Sequence, residues 1–143
     1  MEILSKSEKD TFDLGFKISS KLKGGELILL YGDLGCGKTV FTKGLAKGLL
    51  IAEEITSPTY VFLRSHKGEK FTLYHFDFYR MAKASDLERV DIEDLLEDEK
   101  GIFVVEWPEL FPTGIFKKQL RLEFDNYGED ERLIEITGDS EIL

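Results

Sequence analysis

The spacing of apolar residues divides the chain into short segments of alternating character. "ELILLY" (26–31) and "GIFVVEW" (101–107) are continuous apolar runs of strand length, the pattern of strands buried on both faces. In 38–50, "KTVFTKGLAKGLL", Phe41, Leu45 and Leu49 recur every four residues and predict a helix. Gly44 and Gly48 fall on one face of it. Each weakens a helix by roughly 1 kcal/mol relative to Ala, so close packing against a sheet is the expected compensation. Residues 7–23 also read as a helix, with Ser7 as cap, Asp10 as a weaker capping-box partner and "KGG" as the stop. "SPTYVFLRS" and "KFTLYHFDFY" flank "HKGE" and predict a hairpin, and "KKQLRLEFD" and "RLIEITG" around "NYGED" predict another. Residues 85–99, with eight acids and Arg89 alone of opposite sign, predict one or two exposed amphipathic helices capped by Ser85.

Between the first buried strand and the helix stands "GDLGCGKT": Gly32, Asp33, Leu34, Gly35, Cys36, Gly37, Lys38, Thr39. This satisfies G-x-x-x-x-G-K-[ST] in full, with a strand before it and a helix after it, the context that the motif requires. Glycines let the loop turn tightly and aim its N–H groups inward, and the helix adds the positive end of its dipole. Lys38 would reach the β- and γ-phosphates of a nucleotide, and the Thr39 hydroxyl would coordinate Mg²⁺. Such a site also needs an acid at a strand end. Asp77 follows "TLYHF" and Glu106 follows "IFVV", so the pair divides between magnesium and the attacking water, in an order the pattern leaves open.

Composition narrows the picture. The 143 residues suit one domain, 1–143, able to bury roughly 68% of the unfolded chain's surface. No apolar run approaches the roughly 18 residues of a membrane helix, and "MEILSKSEKD" lacks the pattern of a secretory signal, so a cytoplasmic protein is expected, without membrane contact. Cys36 is the one cysteine, which rules out an internal disulfide and suits a reducing compartment. A net charge of −9 argues against a stand-alone nucleic-acid binder. Lys6, Lys9, Lys17, Lys21 and Lys23 read as a solvated helix face rather than a binding patch. His66 and His75 share no metal-ligand spacing with Cys36, and His75 reads as a packed histidine in an aromatic strand.

Three nucleotide-dependent classes come into question. A GTPase would carry an N-K-x-D segment, and none is present. A small-molecule or protein kinase with the same P-loop would close an arginine-bearing lid over the phosphates; Arg64 and Arg80 keep that alternative open. The third is a nucleotide-gated binding module.

"GDLGCGKT", then "SPTY" (57–60), "YHFDFYR" (74–80) and "VEWP" (105–108), in that order, resemble the TsaE (YjeE) family from about Thr11 to Arg132. The resemblance implies a bacterial P-loop ATPase using ATP and Mg²⁺. It implies a three-layer P-loop NTPase-like α/β fold, its central sheet mostly parallel, with antiparallel hairpins and flanking helices. It further implies support of a TsaD–TsaB heterodimer in forming threonylcarbamoyladenosine next to the tRNA anticodon, with tRNA met only through that complex. Gly32–Thr39 would cradle the nucleotide, "SPTY" with Thr59 would be a first switch, and "HFDFYR" a second in which Asp77 is essential. Glu106 would be the magnesium-shell acid, followed by Trp107. Glu8 and Thr11 would lie near the base, and Arg132 joins the nucleotide-binding set. Cys36 departs from the family's small residue. At a helix N-terminus beside Lys38 its thiol is expected to ionise early and react, the alternative being an inert, alanine-like residue.

Overall fold

The computed structural model describes residues 1–55, 63–79 and 91–142. One seven-stranded sheet organises them, in the order β1-β7-β6-β2-β5-β4-β3. Its strands are β1 (Glu2–Ser5), β2 (Leu27–Tyr31), β3 (Leu63–Lys67), β4 (Thr72–Asp77), β5 (Gly101–Glu106), β6 (Gln119–Asn126) and β7 (Arg132–Gly138). The four central strands, β6, β2, β5 and β4, run parallel. Antiparallel pairs close both sides: β3 on β4, β7 on β6, and β1 on β7. Both predicted hairpins are present, the first described from Leu63 onward, while residues 57–62 of its leading run lie outside the described residues. β1 carries no turn signal in the sequence and is specified only by its pairing with β7, from Glu2↔Glu135 to Ser5↔Arg132.

Strand alternation sorts the core into two layers. Ile28, Leu30, Leu73, Ile102, Val104, Leu120 and Leu122 face α1 (Glu8–Ser19) and α2 (Lys38–Gly48), meeting Ile18, Phe41, Leu45 and Leu49. Leu27, Leu29, Tyr74, Phe76, Phe103 and Val105 line the other face. A short helix α3 (Ile92–Leu95) and the 3₁₀ turns Pro108–Leu110 and Thr113–Ile115 cover it with Ile92, Phe111 and Phe116. The continuous apolar runs of β2 and β5 follow from this double coverage.

Three expectations change. The first helix stops at Ser19 rather than 23, and its last turn tightens into i→i+3 bonds, Lys21 N–H to Ile18 O at 3.0 Å and Leu22 N–H to Ser19 O at 3.2 Å. Ser7 does cap it, accepting from Asp10 N–H, while the Asp10 carboxylate accepts from Lys6 N–H, one residue outside the box. Gly44 and Gly48 pack on α1, not on the sheet. A Cβ at Gly44 would strike the Phe12 carbonyl group, one at Gly48 would strike Ser19, and one at Gly15 would strike the Phe41–Leu45 backbone. Small residues on both sides let the two helix backbones touch. In the described part of the acidic segment, 91–99, α3 is a single turn capped by Asp91, whose carboxylate accepts from Asp94 N–H at 3.2 Å. Like charges four apart, Glu93 with Glu97 and Asp94 with Asp98, oppose a longer helix. Ser85 and Arg89 lie outside the described residues.

Candidate functional site

The loop after β2 takes the glycines' conformations literally. Gly32, Gly35 and Gly37 have φ of +145°, +74° and +105°, a region that side chains disfavour. At Gly35 a Cβ would project into open space; at Gly32 it would meet the Cys36 sulfur at 2.6 Å. Gly37 caps α2 with no side-chain acceptor, and the first turn of α2 holds no acid. The helix N–H groups and dipole are thus left for an anion from outside the chain.

Lys38 is buried, 4% exposed. Its ammonium donates to the Gly32 carbonyl at 2.6 Å and lies 4.1 Å from the Trp107 ring centroid, a cation–π contact. Trp107 holds φ 54° and ψ 59°, left-handed backbone in a bulky residue. Such conformations persist only where the surroundings impose them, and they cluster at functional sites. Here Lys38 and the Tyr79 ring, 4.9 Å away, flank the indole.

Parallel pairing sets Asp77 and Glu106 side by side at the C-terminal ends of β4 and β5. Glu106 is 3% exposed, and one carboxylate oxygen meets His75 Nε2 at 2.6 Å. Asp77 accepts from Tyr79 N–H at 3.0 Å. Around them lies a cavity of about 360 Å³, lined by Glu8, Thr11, Leu34 to Thr39, Asp77, Glu106, Trp107 and Arg132. Ser7, Val40 and Asp130 also line it; the sequence marks Ser7 only as a helix cap and gives no signal for the other two. Gly32 and Asp33 shape the loop instead: Gly32 O holds Lys38, and Asp33 O accepts from Cys36 N–H. Thr59 lies outside the described residues.

Arg132 acts on the loop backbone. Its guanidinium donates to Cys36 O at 3.1 Å and to Gly35 O at 3.2 Å, from a strand almost a hundred residues away. Thr11 commits its hydroxyl to Ser5, 2.6 Å apart. His75 is not merely packed: its partner is Glu106. Strand periodicity offered that signal, since His75 lies two residues before Asp77 and shares its face. His66 pairs with Glu53 at 3.1 Å.

Cys36 overturns one expectation. Burial pushes its thiol upward in pKa, and the Lys38 charge and backbone N–H groups only partly offset this. The helix N-terminus does not win because the sulfur, 1% exposed, sits out of water beneath the loop.

Among the described residues, no group of three or more His, Cys, Asp and Glu could hold a metal. A P-loop magnesium site does not require one, since the ion takes few protein ligands and relies on phosphates and water. Thr39 and the paired acids fit that role, and the open cradle with its uncapped helix fits phosphate. No described helix is long and apolar enough to cross a membrane.

Parallel strands, a glycine loop leading into a helix, a buried lysine and two strand-end acids define a P-loop protein of the α/β class. The family described as threonylcarbamoyl adenosine biosynthesis protein TsaE matches residues 5–134. The chain therefore belongs to the TsaE family of tRNA threonylcarbamoyladenosine biosynthesis. It is 41% identical to the protein of that description from Treponema pallidum over 109 residues, 76% of this chain and 79% of the relative. With the Bacillus subtilis protein it shares 39% identity over 120 residues, 81% of this chain and 72% of the relative. The crystal structure of Bacillus subtilis YdiB superimposes with a TM-score of 0.75 at 29% identity, covering 96% of this chain and 84% of that one.

Proposed function

We propose that this chain, as one domain, binds and hydrolyses Mg-ATP in the cytoplasm to support a TsaD–TsaB heterodimer in forming threonylcarbamoyladenosine next to the tRNA anticodon. It meets tRNA only through that complex. The observation that carries the reading is the convergence on one cavity of Lys38, the uncapped start of α2, and the Asp77–Glu106 pair.

Each group has a task that its position supports. The loop and α2 N–H groups bind phosphate oxygens. Lys38 exchanges its bond to Gly32 O for the β- and γ-phosphates, where its charge counts most. Thr39 and Glu106 hold magnesium, which when bound neutralises phosphate charge. Asp77, beside the second switch segment, orients the attacking water. Among the described residues Arg132 is the arginine lining the cavity, and its guanidinium already binds loop carbonyls. Charge developing on the transferred phosphoryl group therefore has no described arginine aimed at it. A partner that supplies one, or orders the switches, would accelerate hydrolysis.

Calorimetry of ATP binding with and without Mg²⁺, joined to multi-turnover kinetics, tests this. Turnover alone should be well below the enzyme median of about 10 per second and should rise when TsaD–TsaB is added. Glu106→Ala should weaken Mg²⁺-dependent binding, whereas Asp77→Ala should keep binding and lose turnover. Swapped phenotypes would reverse the two roles. Fast partner-independent hydrolysis, or efficient transfer to a small acceptor, would favour a kinase.

A further inference from the structure

On the sheet face beneath α1 and α2, β2, β5 and β6 present Ile28, Leu30, Ile102, Val104, Leu120 and Leu122, all fully buried and apolar. Ser5 and His66 are buried polar residues of the outer strands on this face, and on the inner strands His75 and Glu106 interrupt the apolar layer. His75 is 0% exposed and Glu106 3% exposed, and they bond each other at 2.6 Å. A leucine or phenylalanine would fill the site of His75 without an imidazole's desolvation cost, so packing alone does not account for the residue. Its bond to Glu106 does.

We propose that His75 is a positioning residue for the magnesium-binding carboxylate of Glu106; this rests on the role given to Glu106 above. The donor of the bond is Nε2–H, since an ionised carboxylate only accepts. A glutamate side chain has three torsions, and ordering it at the moment of binding costs entropy. His75 holds one carboxylate oxygen from within the sheet. The carboxylate's rotation is thereby set before any ligand arrives, and its second oxygen remains for the cavity that Glu106 lines. Carboxylates that bind metals are themselves commonly hydrogen-bonded, and losing that support typically weakens metal binding 10- to 100-fold. The register places Asp77 directly beside Glu106 and His75 one step back along the same face of β4, so the bond also ties the two acid-bearing strand ends together.

The test is the factor by which Mg²⁺ strengthens ADP binding, measured by calorimetry in the wild type, His75→Leu, His75→Gln and Glu106→Ala. His75→Leu should bind ADP normally in chelator yet lose about tenfold of the Mg²⁺ enhancement. His75→Gln, whose amide nitrogen reaches near the former Nε2, should recover most of it. A second measurement needs no variant to fold. By NMR, the His75 ring signals of the ADP-bound wild type should move when Mg²⁺ is added, while those of His66 stay still. Full Mg²⁺ enhancement in folded His75→Leu, or a His75 ring indifferent to Mg²⁺, would overturn the inference. An unaltered enhancement in Glu106→Ala would instead overturn the role of Glu106 on which it rests.

Discussion

Gly44→Ala makes the helix–helix contact measurable. Helix propensity alone predicts that this change stabilises α2 by about 1 kcal/mol. The structure predicts the reverse. The new methyl would stand 2.8 Å from the Phe12 carbonyl carbon and 3.0 Å from its Cα, where apolar carbons prefer about 3.5–4.0 Å. The carbon contacts alone require α1 to retreat by roughly 0.7 Å, and the Phe12 carbonyl oxygen, nearer still, requires more; the obstacle is backbone and cannot rotate away. Overpacking of this kind costs typically 1–3 kcal/mol, and a backbone obstacle belongs near the top of that range. Set against the propensity gain of about 1 kcal/mol, the net loss is about 2 kcal/mol. For a chain of this size that lowers Tm by roughly 6–10 °C. Nucleotide affinity should fall too, because the start of α1 carries Ser7, Glu8 and Thr11 to the cavity. Urea unfolding and calorimetric nucleotide titration measure both effects. Gly15→Ala should behave alike from the other helix, while Gly114→Ala, with nothing within 4 Å of its Cβ, should be neutral or slightly stabilising. A Gly44→Ala protein more stable than the wild type would refute the packing argument.

Three further outcomes are expected. Lys38→Ala should abolish hydrolysis and weaken ATP binding at least tenfold, about 1.4 kcal/mol; calorimetry showing normal affinity and turnover would remove the P-loop assignment. Cys36 should resist iodoacetamide in the folded protein and label fully in urea, because burial disfavours its thiolate; rapid stoichiometric labelling of the native state, followed by mass spectrometry, would contradict this. Tyr74, whose hydroxyl donates to Asp98 at 2.8 Å, has its pKa pushed from 10.0 up to about 12, first by burial and then by that bond and charge. The folded state favours the neutral phenol, so its contribution is fully present below pH 10 and fades as pH rises towards 12. Tyr74→Phe should therefore be less stable at neutral pH by about 1 kcal/mol, with the gap closing over that alkaline window; a gap independent of pH in urea melts would show that the phenol's ionisation is not linked to folding.

Local chemistry made much of the site legible. A glycine spacing that demands positive φ, a lysine and a threonine at the start of a helix, and acids at the ends of two apolar runs are all short-range features, and the fold sets them around one cavity. The order of the four sequence blocks also carried the family. Short-range pattern likewise specified β2, α2, β5 and both hairpins, because a strand buried on two faces or a helix with a four-residue repeat writes its environment into adjacent positions.

Other features depend on residues far apart in the chain. β1 exists because β7 offers an edge to Glu2–Ser5. Arg132 holds the loop carbonyls of Gly35 and Cys36 only because β7 returns beside β6, next to β2. Gly44 and Gly48 could be seen as a helix's small face, but whether a sheet or another helix lay against that face was a matter of layer order. The thiol of Cys36 shows the same division. Sequence placed it at a helix N-terminus beside a lysine, which favours the thiolate, and the fold then sealed it from water, which opposes the charge more strongly. Nearest-neighbour chemistry is written in the order of residues, whereas burial and strand adjacency arise only once the whole sheet has closed.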